Sequence, residues 1–63
     1  MTYQKAREVF NESPDKLCRE EKAVLKIISD IDNRRGIGDE WNDIDNDTQN
    51  EIYQAWLDII VNL

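Results

Sequence analysis

An all-α fold is what this sequence predicts, and three features carry the prediction. Apolar residues recur at helical spacing in residues 2–11 and again in 47–62. Oppositely charged residues four apart line the segment between them. Pro14 and the two glycines, Gly36 and Gly38, punctuate the ends of that middle segment. The expected architecture is a helical hairpin of two long helices with a short N-terminal helix laid against it.

The first helix is expected over residues 2–11, "TYQKAREVFN", with Thr2 as its cap and Tyr3, Ala6 and Phe10 on one side. A helix this short is marginal alone, so it must dock or fray. Pro14 disfavours helical backbone at Ser13 but suits a first helical position. The second helix is therefore expected from Pro14 to about Arg35, capped by Ser13. Its apolar stripe holds Leu17, Val24, Ile28 and Ile31, with Glu21 inside the stripe and reaching out to water. The pairs Asp15–Arg19, Lys26–Asp30 and Asp30–Arg34 should each add roughly a few tenths of a kcal/mol. Arg34 and Arg35 suit the negative helix end, and Gly36 a left-handed stop.

Residues 36–45 read as a packed connection in which Ile37, Trp41 and Ile44 tuck onto the helices. The third helix is expected over about 47–62. Asp45, Asn46 and Asp47 are all good caps, and Asn46 with Gln49 has capping-box spacing. Its stripe is Ile52, Trp56, Ile59 and Leu63, widened by Tyr53 and Ile60 and carried further by Leu57 and Val61. An arc that wide exceeds the ~100° stripe usual for a surface helix, so something must cover the excess. Helix one offers only two large apolar side chains, Tyr3 and Phe10. Tyr53, Trp56, Leu57, Ile60 and Val61 are therefore the candidate contact residues for a partner or a second copy.

Sixty-three residues form one domain, 1–63, and a chain this short buries only about 60% of its unfolded surface. Small domains need a staple. One cysteine, Cys18, makes no internal disulfide, and a chain without histidine lacks the ligands of a zinc site. Self-association is the remaining device, and a homo-oligomer is expected. The lone cysteine and the absence of an N-terminal apolar run point to the cytosol. The longest apolar stretch, "LDIIVNL", falls far short of the ~20 residues that span a bilayer, so no membrane role is expected.

The net charge of −6 is unevenly spread. All eight basic residues lie between Lys5 and Arg35, whereas residues 39–63 carry seven acids and no base. Asp39, Glu40, Asp43, Asp45 and Asp47 cluster around the start of the last helix and are candidates for steering a basic partner. Calcium is a poor fit: Asp43, Asp45 and Asp47 match the first ligands of an EF-hand loop, but Thr48 stands where its glycine belongs and Gln54 where its bidentate glutamate belongs. Acids also favour a helix N-terminus for electrostatic reasons alone. Nucleic-acid mimicry is the alternative function, as an inhibitor of a DNA-binding or defence enzyme, though it requires a dense extended array of carboxylates. Direct DNA reading is disfavoured by a connection too long for helix-turn-helix and by a last helix without Lys or Arg. No enzyme is expected and no cofactor. There is no histidine, and Cys18, whose pKa a neighbouring Arg19 could lower, has no base beside it; it reads best as a small semi-buried apolar residue.

The stretch "NRRGIGDEWNDIDNDTQNEIYQAWLDII", with the length and overall character of the whole chain, resembles the small open-reading-frame proteins of the exo–xis region of lambdoid bacteriophages. That resemblance implies an early phage product acting in the bacterial cytoplasm, linked to the lysis–lysogeny choice and to host growth. It brings no catalytic motif with it. Together with the apolar face, it leads to the expectation of a small acidic module that modulates a host or phage regulatory protein.

Overall fold

The computed structural model describes residues 1–63 and is helical throughout, with no strand. Four α-helices follow one another: α1 (Tyr3–Glu12), α2 (Arg19–Asp32), α3 (Ile37–Asp43) and α4 (Asn46–Val61), with a 3₁₀ turn at Pro14–Lys16. Every helix gives at least one side chain to a single core: Tyr3 and Ala6 from α1, Val24, Leu25 and Ile28 from α2, Trp41 from α3 and Tyr53 from α4, with Leu17 from the α1–α2 connection. No helix is long and apolar enough to cross a membrane.

Thr2 caps α1 as expected, its hydroxyl accepting from the Lys5 N–H at 3.2 Å. Docking then overcomes the weakness of a ten-residue helix. Tyr3 and Ala6 are buried, and three amide side chains tie the start of α1 to α4. Asn50 Oδ1 accepts from the Tyr3 N–H at 2.8 Å, and Gln54 Nε2 donates to the Met1 carbonyl at 2.7 Å. Gln4 Nε2 reaches the Asn46 carbonyl at 3.0 Å.

The middle helix departs from expectation at both ends. Pro14 opens only a 3₁₀ turn, after which Leu17 adopts extended backbone (φ −98°, ψ 147°) and buries its side chain. Core burial of Leu17 outweighs the continuation of a helix through it. Cys18 becomes the N-cap of α2, and Glu21, expected to reach for water, instead accepts the Cys18 N–H at 3.0 Å in a capping box. The helix stops at Asp32, and Arg34 and Arg35 lie in the turn beyond it. Gly36 is left-handed as expected (φ +85°), but it also stands as the N-cap of α3.

Of the three expected ion pairs, Asp30–Arg34 forms, at 2.8 Å and exposed. Asp15 sits in the 3₁₀ turn, off the helix that carries Arg19, and Asp30 is engaged by Arg34 rather than Lys26. Such exposed pairs contribute little in any case.

The expected connection 36–45 contains a helix, α3. Trp41 is buried and Ile44 half-buried, as expected, but Ile37 lies exposed. Gly38 is buried where α3 meets the end of α2, with the Asp32 carbonyl in its path. Asn42 Nδ2 closes the junction, donating to Asp32 Oδ1 at 2.7 Å and to the Gly38 carbonyl at 2.8 Å. The last helix is capped by Asp45, which accepts the Thr48 N–H at 2.8 Å, not by the Asn46–Gln49 box. Gln49 is committed elsewhere: it is buried, and its Nε2 donates to the Trp41 carbonyl at 2.9 Å.

Candidate interaction surface

The five apolar candidates on α4 divide according to which neighbour each meets. Tyr53 is fully enclosed, its ring 5.8 Å from Tyr3 and tilted against it. It is therefore a core residue and offers no side chain to a partner. The physical reason is α1, which docks on the Tyr53 flank of α4. Trp56 is half-buried, stacked on Trp41 at 6.5 Å with 24° between planes. Leu57 and Ile60 are half-buried against the core, and Val61 is 61% exposed.

The flank of α4 away from α1 stays open. An entirely apolar groove of about 170 Å³ runs between α2 and α4, lined by Val24, Ile27, Trp56, Ile59 and Ile60. Ile27 and Ile59 are 47% and 59% exposed on its two sides. Neither was among the residues singled out from the sequence. The signal that could have found Ile59 was its place in the α4 stripe; the signal for Ile27 was only a flanking position on α2. A second cavity, about 120 Å³ between α1 and α2, has Tyr3, Phe10, Leu25 and Ile28 as its floor. It is well below the roughly 300–1,000 Å³ of ligand pockets.

All five candidate steering acids are exposed. Asp39 and Glu40 lie in the first turn of α3, Asp43 ends it, Asp45 caps α4 and Asp47 lies in its first turn. Hydrogen bonds from the Thr48 side chain and backbone hold the Asp45 carboxyl below its ordinary range. That carboxylate is thus committed to the helix cap as well as contributing to the field. The two long helices, α2 and α4, are separated by residues 33–45, a connection too long for helix-turn-helix as expected from sequence, although the α2–α3 turn within it, residues 33–36, is by itself that short. Charge is what argues against groove reading: α3 bears Asp39, Glu40 and Asp43 and no base.

Two chemically distinctive groups lie away from this surface. Cys18 is exposed, not semi-buried, because it caps α2 at the edge of the core. The Glu21 backbone N–H favours its thiolate, but the Glu21 and Glu20 carboxylates and partial desolvation prevail and push the thiol up. That is the opposite of activation. The Tyr53 hydroxyl is buried without a hydrogen-bond partner, and its pKa is pushed up to about 12, chiefly by burial and secondarily by the charges of Glu21 and Cys18.

An orphaned hydroxyl costs stability that a methine hydrogen does not. Tyr53→Phe is therefore expected to raise stability by about 1 kcal/mol, read as a higher urea midpoint at unchanged slope. The pH dependence has a fixed sign. The folded protein holds the phenol proton above the ordinary value of 10, so stability is complete below that pH and falls as pH rises toward about 12. In the Phe variant that part of the alkaline loss should vanish; an identical loss would show that Tyr53 does not cause it.

No family model, curated protein or solved structure matches this chain. The fold and surface therefore define a class only: a small all-helical domain with an open apolar groove and an acidic corner.

Proposed function

We propose that the chain is a small acidic protein-interaction module of phage type, acting in a bacterial cytoplasm on a host or phage regulatory protein that bears basic surface. Its expected setting is lysis–lysogeny development. The observation that carries the reading is the uncovered apolar groove between α2 and α4, on a domain that carries five exposed acids at its α3–α4 corner. Apolar surface supplies contact energy, and the acidic corner supplies long-range attraction. In this reading α2 and α4 form the expected helical hairpin, elaborated by α3 in its connection, and the apolar side of α4 also serves self-association. Trp56 and Ile60 line the groove, Leu57 packs half-buried against the core, and Val61 is exposed near the end of α4.

The corner arrangement favours steering over mimicry of nucleic acid. The five acids stand at the ends of two helices in a body of 29 × 26 × 19 Å. A mimic needs charges in a long array, at a density near one per ~1.7 Å of duplex axis. The test begins with the target captured from host lysate by crosslinking. Replacing Asp39, Asp43, Asp45 and Asp47 by Asn and Glu40 by Gln is expected to slow association with that target about tenfold at low salt and to flatten its salt dependence. Asn is itself a good N-cap, so the variant keeps α4 intact. An unchanged rate would remove the acids from the mechanism, and displacement of the target by duplex DNA would favour the mimic.

A further inference from the structure

We infer that the cleft between α1 and α2 is a binding site for a free α-amino acid with an apolar side chain of leucine size. The site lies apart from the surfaces in the functional reading above. Ser29 lines this cleft and Ile27 lines the α2/α4 groove, and two residues of separation put them on opposite sides of α2.

The lining divides by chemistry. Tyr3, Leu25 and Ile28 are buried and Phe10 is half-buried, and together they make an apolar floor. Arg7 and Asn11 stand exposed on the α1 rim, four residues or about 6 Å apart on one side of that helix. Ser29 and Asp32 stand on the α2 rim, three residues apart on one side of theirs. An ordinary seam between two amphipathic helices would be closed by an ion pair across it. Here Arg7 and Asp32 face the same cleft from opposite rims without pairing; the ion pair of the chain is Asp30–Arg34. Asn42 donates to Asp32 Oδ1 at 2.7 Å, which fixes the carboxylate in place and leaves its Oδ2 toward a ligand.

Opposite charges on the two rims select a ligand that carries both. A carboxylate alone would meet Asp32, and an ammonium alone would meet Arg7. In a zwitterion the carboxylate goes to the Arg7 guanidinium, with Asn11 and Ser29 as further donors, and the ammonium goes to Asp32. Size sets the side chain. The cleft holds about 120 Å³, and an apolar cavity of about 150 Å³ accommodates benzene. A branched aliphatic side chain fills that floor, whereas a nucleotide does not fit it. A peptide is disfavoured for another reason: its internal residues have amides where the free amino acid has charges. Because one charge partner comes from α1 and the other from α2, binding also ties the short first helix to the second.

Titration of the full chain with L-leucine, followed by backbone amide shifts, tests the site. Saturable shifts are expected in residues 3–11 and 25–32, with a Kd on the order of 1 mM. The thermal midpoint should rise with leucine concentration, since the ligand binds only the folded chain. Isocaproate, which lacks the ammonium, and isoamylamine, which lacks the carboxylate, should each bind at least about tenfold more weakly. Arg7→Gln and Asp32→Asn should each weaken leucine binding about tenfold as well. Arg7 is exposed, and the amide introduced at position 32 still offers Asn42 an oxygen, so both variants should fold; helical circular dichroism checks this. Absence of saturable shifts at about 50 mM leucine would overturn the site. Isocaproate binding as tightly as leucine would overturn the amino-acid assignment, and so would undiminished leucine binding by Arg7→Gln. These outcomes leave the tests of the acidic corner untouched.

Discussion

Gly38→Ala is expected to destabilise the domain by about 2–3 kcal/mol, against the ordinary trend for a helix interior. Alanine in place of glycine within a helix is normally favourable by about 1 kcal/mol, through propensity alone. At Gly38 a second effect opposes it. A β-carbon there would overlap the Asp32 carbonyl oxygen and stand 3.0 Å from its carbon. Both are backbone atoms at the end of α2, not the far end of a flexible side chain, so relief requires the two helices to part. Parting them strains the Asn42 contacts to Asp32 and to the Gly38 carbonyl, and shifts Trp41 three residues on. A domain of this size has roughly 3–9 kcal/mol of stability in all, so the loss is a large share. Urea unfolding of the variant provides the measurement. A midpoint equal to or above wild type would show that α3 can move away from α2 at little cost.

Gly38 also shows why part of the fold was legible in the sequence and part was not. The outer helices could be read because local chemistry and burial agree there. Thr2 and Asp45 are good caps, and apolar spacing follows them. The segment "GIGDEWND" gives the opposite local signal, with two glycines and three acids. It is helical because Trp41 enters the core and glycine allows α3 to approach α2, both facts of tertiary packing. Leu17 was misleading for a different reason. It falls in phase with Val24 and Ile28, and all three are buried, but it reaches the core from extended backbone. Periodicity reports which side is apolar and does not reveal a break that preserves the phase. Cysteine is a weak cap by type, so the capping box formed by Cys18 and Glu21 carried little signal.

The surface was legible to the same extent. An apolar arc wider than one neighbour could cover was visible along α4, and side chains on it are indeed left half-exposed or more. Which flank stays open depends on where α1 lands, and the amides that direct it, Asn50 and Gln54, look like ordinary solvent-facing residues in the sequence. Because α1 takes the Tyr53 flank, Ile59 and Ile27 become the open edge instead.

Trp41→Ala is expected to cost about 3–5 kcal/mol, half or more of the stability a domain of this size has. Its ring is an inner member of the aromatic chain Tyr53–Tyr3–Trp41–Trp56. It meets Tyr3 edge-to-face at 5.6 Å and stacks on Trp56 at 6.5 Å, so it joins α1, α3 and α4. Removing it leaves a cavity whose walls are set by three helices, and no single rotamer change can fill it. Trp56→Ala offers the comparison, because Trp56 is only half-buried and borders the open groove; its loss should be smaller. Near-ultraviolet circular dichroism and thermal unfolding of the two variants separate them. The Trp41 variant should lose its fixed aromatic signal and its cooperative transition, while the Trp56 variant retains both. If the order were reversed, Trp56 would be the keystone of the core, and the groove it borders would be a feature of stability rather than a surface left open for contact.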